Sequence, residues 1–313
     1  MFEATPRRVS NAGTFAILIG LTGVGLIVGA LAGIVIWLVM TGKSPLNIET
    51  DMMKPENMNA VRIFQLVSTF ITFFIPAWIT ARIASDRPFQ WLGFNKRFNL
   101  RQLILAVLIM LACIPLVSAL ATLNELIPLP ASVEHYFRDL ESKYDDQVEV
   151  LSVIKGFGDY IITLMIMAIL PAIFEETLFR GGMQNILTRW LKNPWAAILI
   201  TSCVFSIIHL SYYGFLARFA LGIILGLLYY YGRSIWLNIF AHCFNNALVV
   251  TQIYMYTLKG KPAKEAMNDN LPVWWLFVGL ALVVGLMWLY RKYSDQERQK
   301  WSVSDENVIA ENG

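Results

Sequence analysis

Ionisable and amide side chains interrupt three otherwise apolar stretches of this 313-residue chain. The first reads Leu170-Pro171-Ala172-Ile173-Phe174-Glu175-Glu176-Thr177-Leu178-Phe179-Arg180-Gly181, the second ends Phe205-Ser206-Ile207-Ile208-His209, and the third contains His242-Cys243-Phe244-Asn245-Asn246. Such groups are costly inside apolar spans and are functional candidates by default. A carboxylate beside an imidazole can take a proton from water, and a second imidazole with an amide can hold an oxyanion. Adjacent glutamates point about 100° apart on a helix, so Glu175 and Glu176 cannot do the same job. Glu176 precedes Arg180 by four residues, the favourable order for a pair, which leaves Glu175 free for chemistry. Glu175, His209 and His242 would alternatively make a two-histidine, one-carboxylate zinc set with an open fourth position, Glu176 then serving as base. The chain lacks the His-Glu-x-x-His helix of ordinary zinc proteases. The plainer alternative is a charge cluster at a helix end. Phe205 and Asn245 read as packing residues, Arg218 as a tether near the membrane interface, and His135 as a solvated loop residue.

The elements around these residues must bring them to one depth. Asn193-Pro194 is a turn signal. Glu175 lies about eighteen residues before that turn and His209 about sixteen after it, nearly the same depth at about 1.5 Å per residue. His242 and Asn246 are four apart and share a helix face. Counted from the turn near Gly232-Arg233, they fall within roughly 5–10 Å of the depth of His209. Pro171, just before the glutamates, is expected to kink its helix.

These elements are membrane spans. The chain is 57% hydrophobic and only 15% charged, with a mean hydropathy of +0.55. A span needs about 20 apolar residues. Eight runs qualify, near 14–40, 60–80, 103–127, 157–190, 194–210, 215–231, 234–256 and 272–290. The predicted fold class is therefore all-α, a polytopic membrane protein with about eight transmembrane helices. The first run follows Arg7 and Arg8 and is too long for a signal peptide, so it reads as a retained anchor. It carries Gly25, Gly29 and Gly33 at a spacing that lets helices approach closely. Residues 82–101 hold five basic side chains and one acid, whereas 125–155 hold seven acids and three bases. The positive-inside rule puts the first loop and both termini in the cytoplasm and the second loop outside. Lys259, Lys261 and Lys264 dissent weakly. The stretch 131–152 reads as a short surface helix, and Ser302–Gly313 as a disordered tail. The net charge of +3 gives no case for nucleic acid. Cys113, Cys203 and Cys243 lie in apolar segments and read as buried apolar residues.

The three motifs together resemble the CAAX-protease and bacteriocin-processing family, which includes the type 2 CAAX prenyl endopeptidases and the bacterial Abi proteins. The family pattern is Glu-Glu-x-x-x-Arg, then Phe-x-x-x-His, then His-x-x-x-Asn or Asp. Here it is filled by Glu175, Glu176 and Arg180, by Phe205 and His209, and by His242 and Asn246. The resemblance covers about residues 160–250 and implies peptide-bond hydrolysis at or inside the membrane. In the prenylated-protein branch the last three residues after a lipidated cysteine are removed.

The division expected is 1–155 for the N-terminal helices and an extracytoplasmic loop, 156–256 for the catalytic core, and 257–313 for the last helix and polar tail. The expected activity is that of an intramembrane endopeptidase in a bacterial inner membrane, acting on a membrane protein or lipidated peptide. Glu175 with His209 would activate water, and His242 and Asn246 would hold the oxyanion. No cofactor is required in that scheme, with zinc on Glu175, His209 and His242 as its metal-dependent variant. A transporter with a proton relay, or a scaffold or immunity protein, would use the same polar groups differently. The charge bias places the polar layer nearer the outer face, while the resemblance implies access from the cytoplasm.

Overall fold

The structure, a computed structural model, describes residues 9–151, 154–261, 265 and 271–312. Arg7, Arg8 and Lys264, counted in the charge pattern, lie outside the described residues. Among those described, all regular structure is helical. In chain order the longer helices are α1 (Asn11–Thr41), α2 (Pro55–Ala84), α3 (Leu100–Glu125), α4 (Ala131–Leu151), α5 (Phe157–Leu191), α6 (Pro194–Ile207), α7 (Phe215–Gly232), α8 (Ile235–Leu258) and α9 (Trp275–Asn312). Six of them, α1, α2, α3, α5, α7 and the apolar part of α9, are long and apolar enough to cross a membrane. The chain is a multi-pass integral membrane protein.

The other two expected spans are helices as well, but atypical ones. With 14 residues α6 is about 21 Å long, short of the roughly 30 Å hydrocarbon core. At 24 residues α8 has the length, but Asn238, His242, Asn245 and Asn246 dilute its apolar character. The polar stretch at 131–151 is the amphipathic helix α4, and His135 is exposed on it. The tail differs from its expectation, because α9 continues to Asn312. No proline or glycine interrupts Ser302–Asn312, so nothing in its backbone ends the helix.

Local sequence explains where several helices begin. The Ser10 side chain accepts from Gly13 N at the start of α1. Asn99 and Gln102 form a reciprocal capping box at α3. The Asn193-Pro194 turn opens α6, with Asn193 accepting from the amides of Trp195 and Ala196. Packing follows the glycine pattern of α1, where Gly25, Gly29 and Gly33 are buried. A Cβ on Gly25 would fall 2.9 Å from the Ile71 carbonyl of α2. Across the same seam Ser68 Oγ donates to Gly29 O at 2.8 Å, and Thr72 Oγ1 to Gly25 O at 3.3 Å. The small residues thus serve close backbone approach, which carries helix association where lipid removes the hydrophobic drive.

Three wide π turns interrupt the long helices, at Phe70–Phe74 in α2 and at Met165–Ile169 and Thr177–Gln184 in α5. The first two each end two residues before a proline, Pro76 and Pro171. A proline ring clashes with the carbonyl four residues back and supplies no N–H, and a widened turn absorbs both defects. The expected disturbance at Pro171 therefore takes the form of a π turn directly ahead of the glutamates. The two ends of the bundle are built differently. At one end, the loop after α2 is tied to the α7–α8 turn by Asn95 Nδ2 donating to Arg233 O (2.6 Å) and Ser234 Oγ donating to Asn95 O (2.8 Å). At the other end α4 packs against α2, with the buried Arg62 donating to Leu151 O (3.1 Å) and to Thr163 Oγ1 of α5 (2.8 Å).

Candidate active site

Glu175 and Glu176 close the regular segment of α5 between its two π turns. Glu176 is fully buried and collects most of the polar contacts. Its Oε1 accepts from Arg180 Nη1 at 3.0 Å and lies 2.8 Å from His242 Nδ1, and its Oε2 accepts from Asn238 Nδ2 at 3.3 Å. The expected Glu176–Arg180 pair is therefore present, with both side chains at 0% exposure. Arg180 extends on to Gly222 O of α7 (3.2 Å) and stacks over the Phe205 ring at 4.9 Å. One turn along, Gln184 repeats the move and donates to Gly226 O at 3.0 Å. Residues four apart on α5 thus use carbonyls four apart on α7.

Glu175 is set apart from this network. Its Oε2 stands 3.8 Å from His242 Nε2, with its side chain 13% exposed. That separation is too long for a direct hydrogen bond and short enough for one water to bridge the two atoms. The imidazole of His242 therefore lies between the two glutamates. Because a carboxylate accepts and Nδ1 must donate to Glu176, Nε2 of the neutral ring presents its lone pair to Glu175.

His209 stands just past the end of α6. Leu210, at φ 53°, terminates the turn, and His209 Nδ1 lies 2.7 Å from Phe205 O. A carbonyl only accepts, so Nδ1 carries the proton and Nε2 is left free. Phe205, expected to be a packing residue, is 2% exposed and forms the floor of the site. Its ring meets His209 at 4.9 Å, His242 at 6.0 Å and Phe179 at 5.3 Å, between ring centroids.

The structure brings Glu175, Glu176, Arg180 and His242 into one contact network and joins His209 to it through Phe205. It pairs Glu175 with His242, and no hydrogen bond or ion pair links Glu175 to His209. Asn246 lies one turn beyond His242, with Nδ2 3.5 Å from Met167 O and Oδ1 3.3 Å from Asn245 Nδ2. Neither bond reaches any of the four. Asn238 is the residue sequence reasoning missed. It precedes His242 by four residues, as His242 precedes Asn246, so an amide-imidazole-amide stripe was there to be read on α8. Asn238 Nδ2 also donates to Leu225 O at 2.6 Å, which fixes the amide between α7 and α5.

A zinc ion does not fit these side chains as they stand. Among the described residues no three His, Cys, Asp or Glu side chains stand together as a ligand set. No acid lies near His209 or His242 on their own helices, but Glu176 reaches across from α5 and supplies His242 with a carboxylate.

Residues 157–248 match the family model described as Type II CAAX prenyl endopeptidase Rce1-like. This segment begins with α5 and ends two residues after Asn246, so it contains every contact just described. Over these residues the chain is similar to that family. Outside it the match covers neither α1–α4 nor α9. The chain is 29% identical over 122 residues to "Putative membrane peptidase YdiL" of Bacillus subtilis (strain 168), covering 39% of this chain and 48% of that protein. It is 42% identical over 59 residues to an "Uncharacterized 24.3 kDa protein" of Escherichia coli, covering 18% of this chain and 27% of that one. The matches thus span about half and about a quarter of these relatives. No solved structure matches the chain. The matched segment accounts for α5 to most of α8, and α4 lies outside it although it packs on the loop that follows His209. There Ser211 Oγ donates to Glu141 at 2.8 Å and Phe137 stacks on Tyr212 at 4.9 Å.

Proposed function

We propose that this chain is an intramembrane endopeptidase that hydrolyses a peptide bond in a membrane-associated or lipidated protein. The observation that carries this is the division of labour between two adjacent glutamates by one imidazole. Glu176 is neutralised by Arg180 and anchors His242, whereas Glu175 faces the free nitrogen of that ring. A water held between Glu175 and His242 Nε2 loses a proton to Glu175 as its oxygen attacks the scissile carbonyl. The carbonyl π electrons move to oxygen. As the oxyanion re-forms its C=O bond the C–N bond breaks, the proton held on Glu175 passes to the leaving amine and regenerates the carboxylate, and the water oxygen stays in the new carboxyl group of the product.

The bond to Glu176 changes the role expected for His242. With Nδ1–H committed, a neutral His242 accepts at Nε2 and orients the water. The oxyanion then falls to Asn246, whose bond to Met167 O, at 3.5 Å, is long enough to exchange. His209 Nε2 is free to hold the substrate or the water. The similarity to the CAAX endopeptidase model supports a protease, and the bacterial origin of both relatives supports an inner-membrane location. Purified protein tested on membrane-anchored peptides decides the matter. Cleavage by the wild type and loss of cleavage in Glu175→Gln, with unchanged folding, are expected. Equal turnover by the two would overturn the assignment.

A further inference from the structure

The end of the bundle that holds the basic loop 82–101 also carries a cavity away from the glutamates. Its volume is about 230 Å³, and it is lined by Trp195 at the start of α6, Tyr230 and Tyr231 in the last turn of α7, and Arg291, Asp295 and Arg298 of α9. Tyr231 lies nine residues along α7 from Gly222, whose carbonyl holds Arg180, so about 13 Å along the axis separates the cavity from the glutamate layer. Residues 291, 295 and 298 share one face of α9. Asp295 joins the two arginines. Arg298 Nη2 donates to Asp295 Oδ1 at 2.8 Å, and Arg291 Nε stands 3.8 Å from Asp295 Oδ2. Arg298 Nη2 also reaches back to Tyr231 O at 3.4 Å. Aromatic rings seat the cations: Arg291 lies over Tyr231, Arg233 over Tyr230 and Lys292 over Trp288, each at 5.5 Å. A guanidinium stacked on a ring keeps its N–H edge for other partners.

The depth of the cavity says what covers it. The apolar part of α9 ends Met287-Trp288-Leu289-Tyr290, with Tyr290 buried and its hydroxyl donating to Leu228 O at 3.1 Å. Charge begins at the next residue, and Arg291 to Asp295 spans about 6 Å at about 1.5 Å per residue. The headgroup layer is roughly 5–8 Å deep on each side of a bilayer, so the charged wall of the cavity stands in it. Trp195 and Trp288, 55% and 60% exposed, mark the same level, as tryptophans at membrane interfaces do. Lipid headgroups therefore cover this surface, and its charge selects among them. Arg233, Arg291, Lys292 and Arg298 gather around one carboxylate, Asp295, while Glu297 is bonded to Lys300 at 2.7 Å. Burial, and next the charge of Arg298, hold the Arg233 guanidinium below the usual arginine range, so these cations crowd one another. A zwitterionic headgroup brings its own ammonium and no net charge. An anionic headgroup brings an uncompensated phosphate, which a guanidinium fork binds through two N–H groups. Basic pockets between helices at this level suit such headgroups. We propose that this cavity binds the phosphate headgroup of an anionic phospholipid, with Arg291 and Arg298 as its direct ligands and Arg233 adding charge.

The test uses full-length protein, stripped of lipid in a neutral detergent and titrated with phosphatidylglycerol or phosphatidylcholine. Native mass spectra count the lipids held by each chain. Phosphatidylglycerol is expected to bind at least about tenfold more tightly than phosphatidylcholine, as two charge-assisted contacts allow. Arg291→Gln with Arg298→Gln should erase that preference, and Arg291→Lys with Arg298→Lys should keep part of it. Asp295→Asn should strengthen it, a gain that loss of folding cannot mimic. Lys96→Gln with Arg101→Gln removes the same charge from the same end of the bundle, outside the cavity, and should leave the preference in place. Equal binding of the two lipids to the wild type would overturn the proposal. An equal loss in the Lys96 and Arg101 variant would also overturn it, by marking a diffuse surface attraction. Weaker binding in Asp295→Asn would reduce the three α9 residues to a structural ion bridge. Displacement of phosphatidylglycerol by glycerol phosphate at matched concentration would assign the cavity to a soluble phosphate and overturn the lipid assignment.

Discussion

Oε1 of Glu176 lies 2.8 Å from Nδ1 of His242, and that single bond decides which face of the imidazole is offered to Glu175. The neighbouring Arg180 shares the same oxygen at 3.0 Å. A buried carboxylate answered by a guanidinium and an imidazole holds its position without solvent, and leaves the adjacent carboxylate as the one free to exchange protons.

The two glutamates should therefore separate experimentally. Glu175→Gln keeps the volume and removes the base, and cleavage should fall by about a hundredfold or more while the melting temperature holds. Glu176→Gln leaves Arg180 buried without its counter-charge, which costs on the order of 3–5 kcal/mol. Thermal unfolding beside a cleavage assay reads both. A stable, inactive Glu176→Gln protein with an active Glu175→Gln protein would reverse the two roles.

Asn238 should behave as a positioning residue. Asn238→Leu removes its bonds to Glu176 Oε2 and Leu225 O, and should cost about 1–3 kcal/mol of stability. Turnover should fall with little change in KM, because the variant loosens the carboxylate that holds His242. Unchanged stability and turnover would show that Arg180 and His242 fix Glu176 without it.

For Asn246 the expectation is kinetic. Asn246→Ala should lower kcat by roughly two to three powers of ten, as loss of an oxyanion donor does. A change confined to KM would make Asn246 a substrate contact, and no change in either would leave its amide on Met167 O throughout turnover.

Chelation tests the chemistry directly. Protein stripped of metal ions should keep its cleavage activity. About one zinc per chain, lost together with activity and restored by added zinc, would overturn the metal-free scheme.

The α1–α2 seam offers a check on packing alone. Gly25→Leu forces a side chain into the Ile71 carbonyl and should destabilise the protein by at least about 1–3 kcal/mol, whereas Gly20→Leu, where a Cβ meets nothing within 4 Å, should leave stability nearly unchanged. Equal effects at both positions would mean the seam is not a close contact in lipid.

The sequence by itself determined the membrane class, the helical architecture, the glycine spacing that permits a close seam and the polar residues of the site other than Asn238. Each of these follows from local chemistry: apolar length, small-residue spacing and the expense of charge in hydrocarbon do not depend on which helix is whose neighbour. It also pointed to the Glu176–Arg180 pair, since both partners sit on one helix at a spacing that lets them meet. What it left open was every contact between helices. Depth counting placed Glu175, His209 and His242 in one layer but could not say which imidazole faces which carboxylate, because depth fixes height and not rotation about the helix axis. The π turns of α5 reset that rotation around the glutamates. Only the tertiary structure could therefore turn His242 toward both glutamates, leave His209 on the carbonyl of Phe205, and set Asn238 beside Glu176.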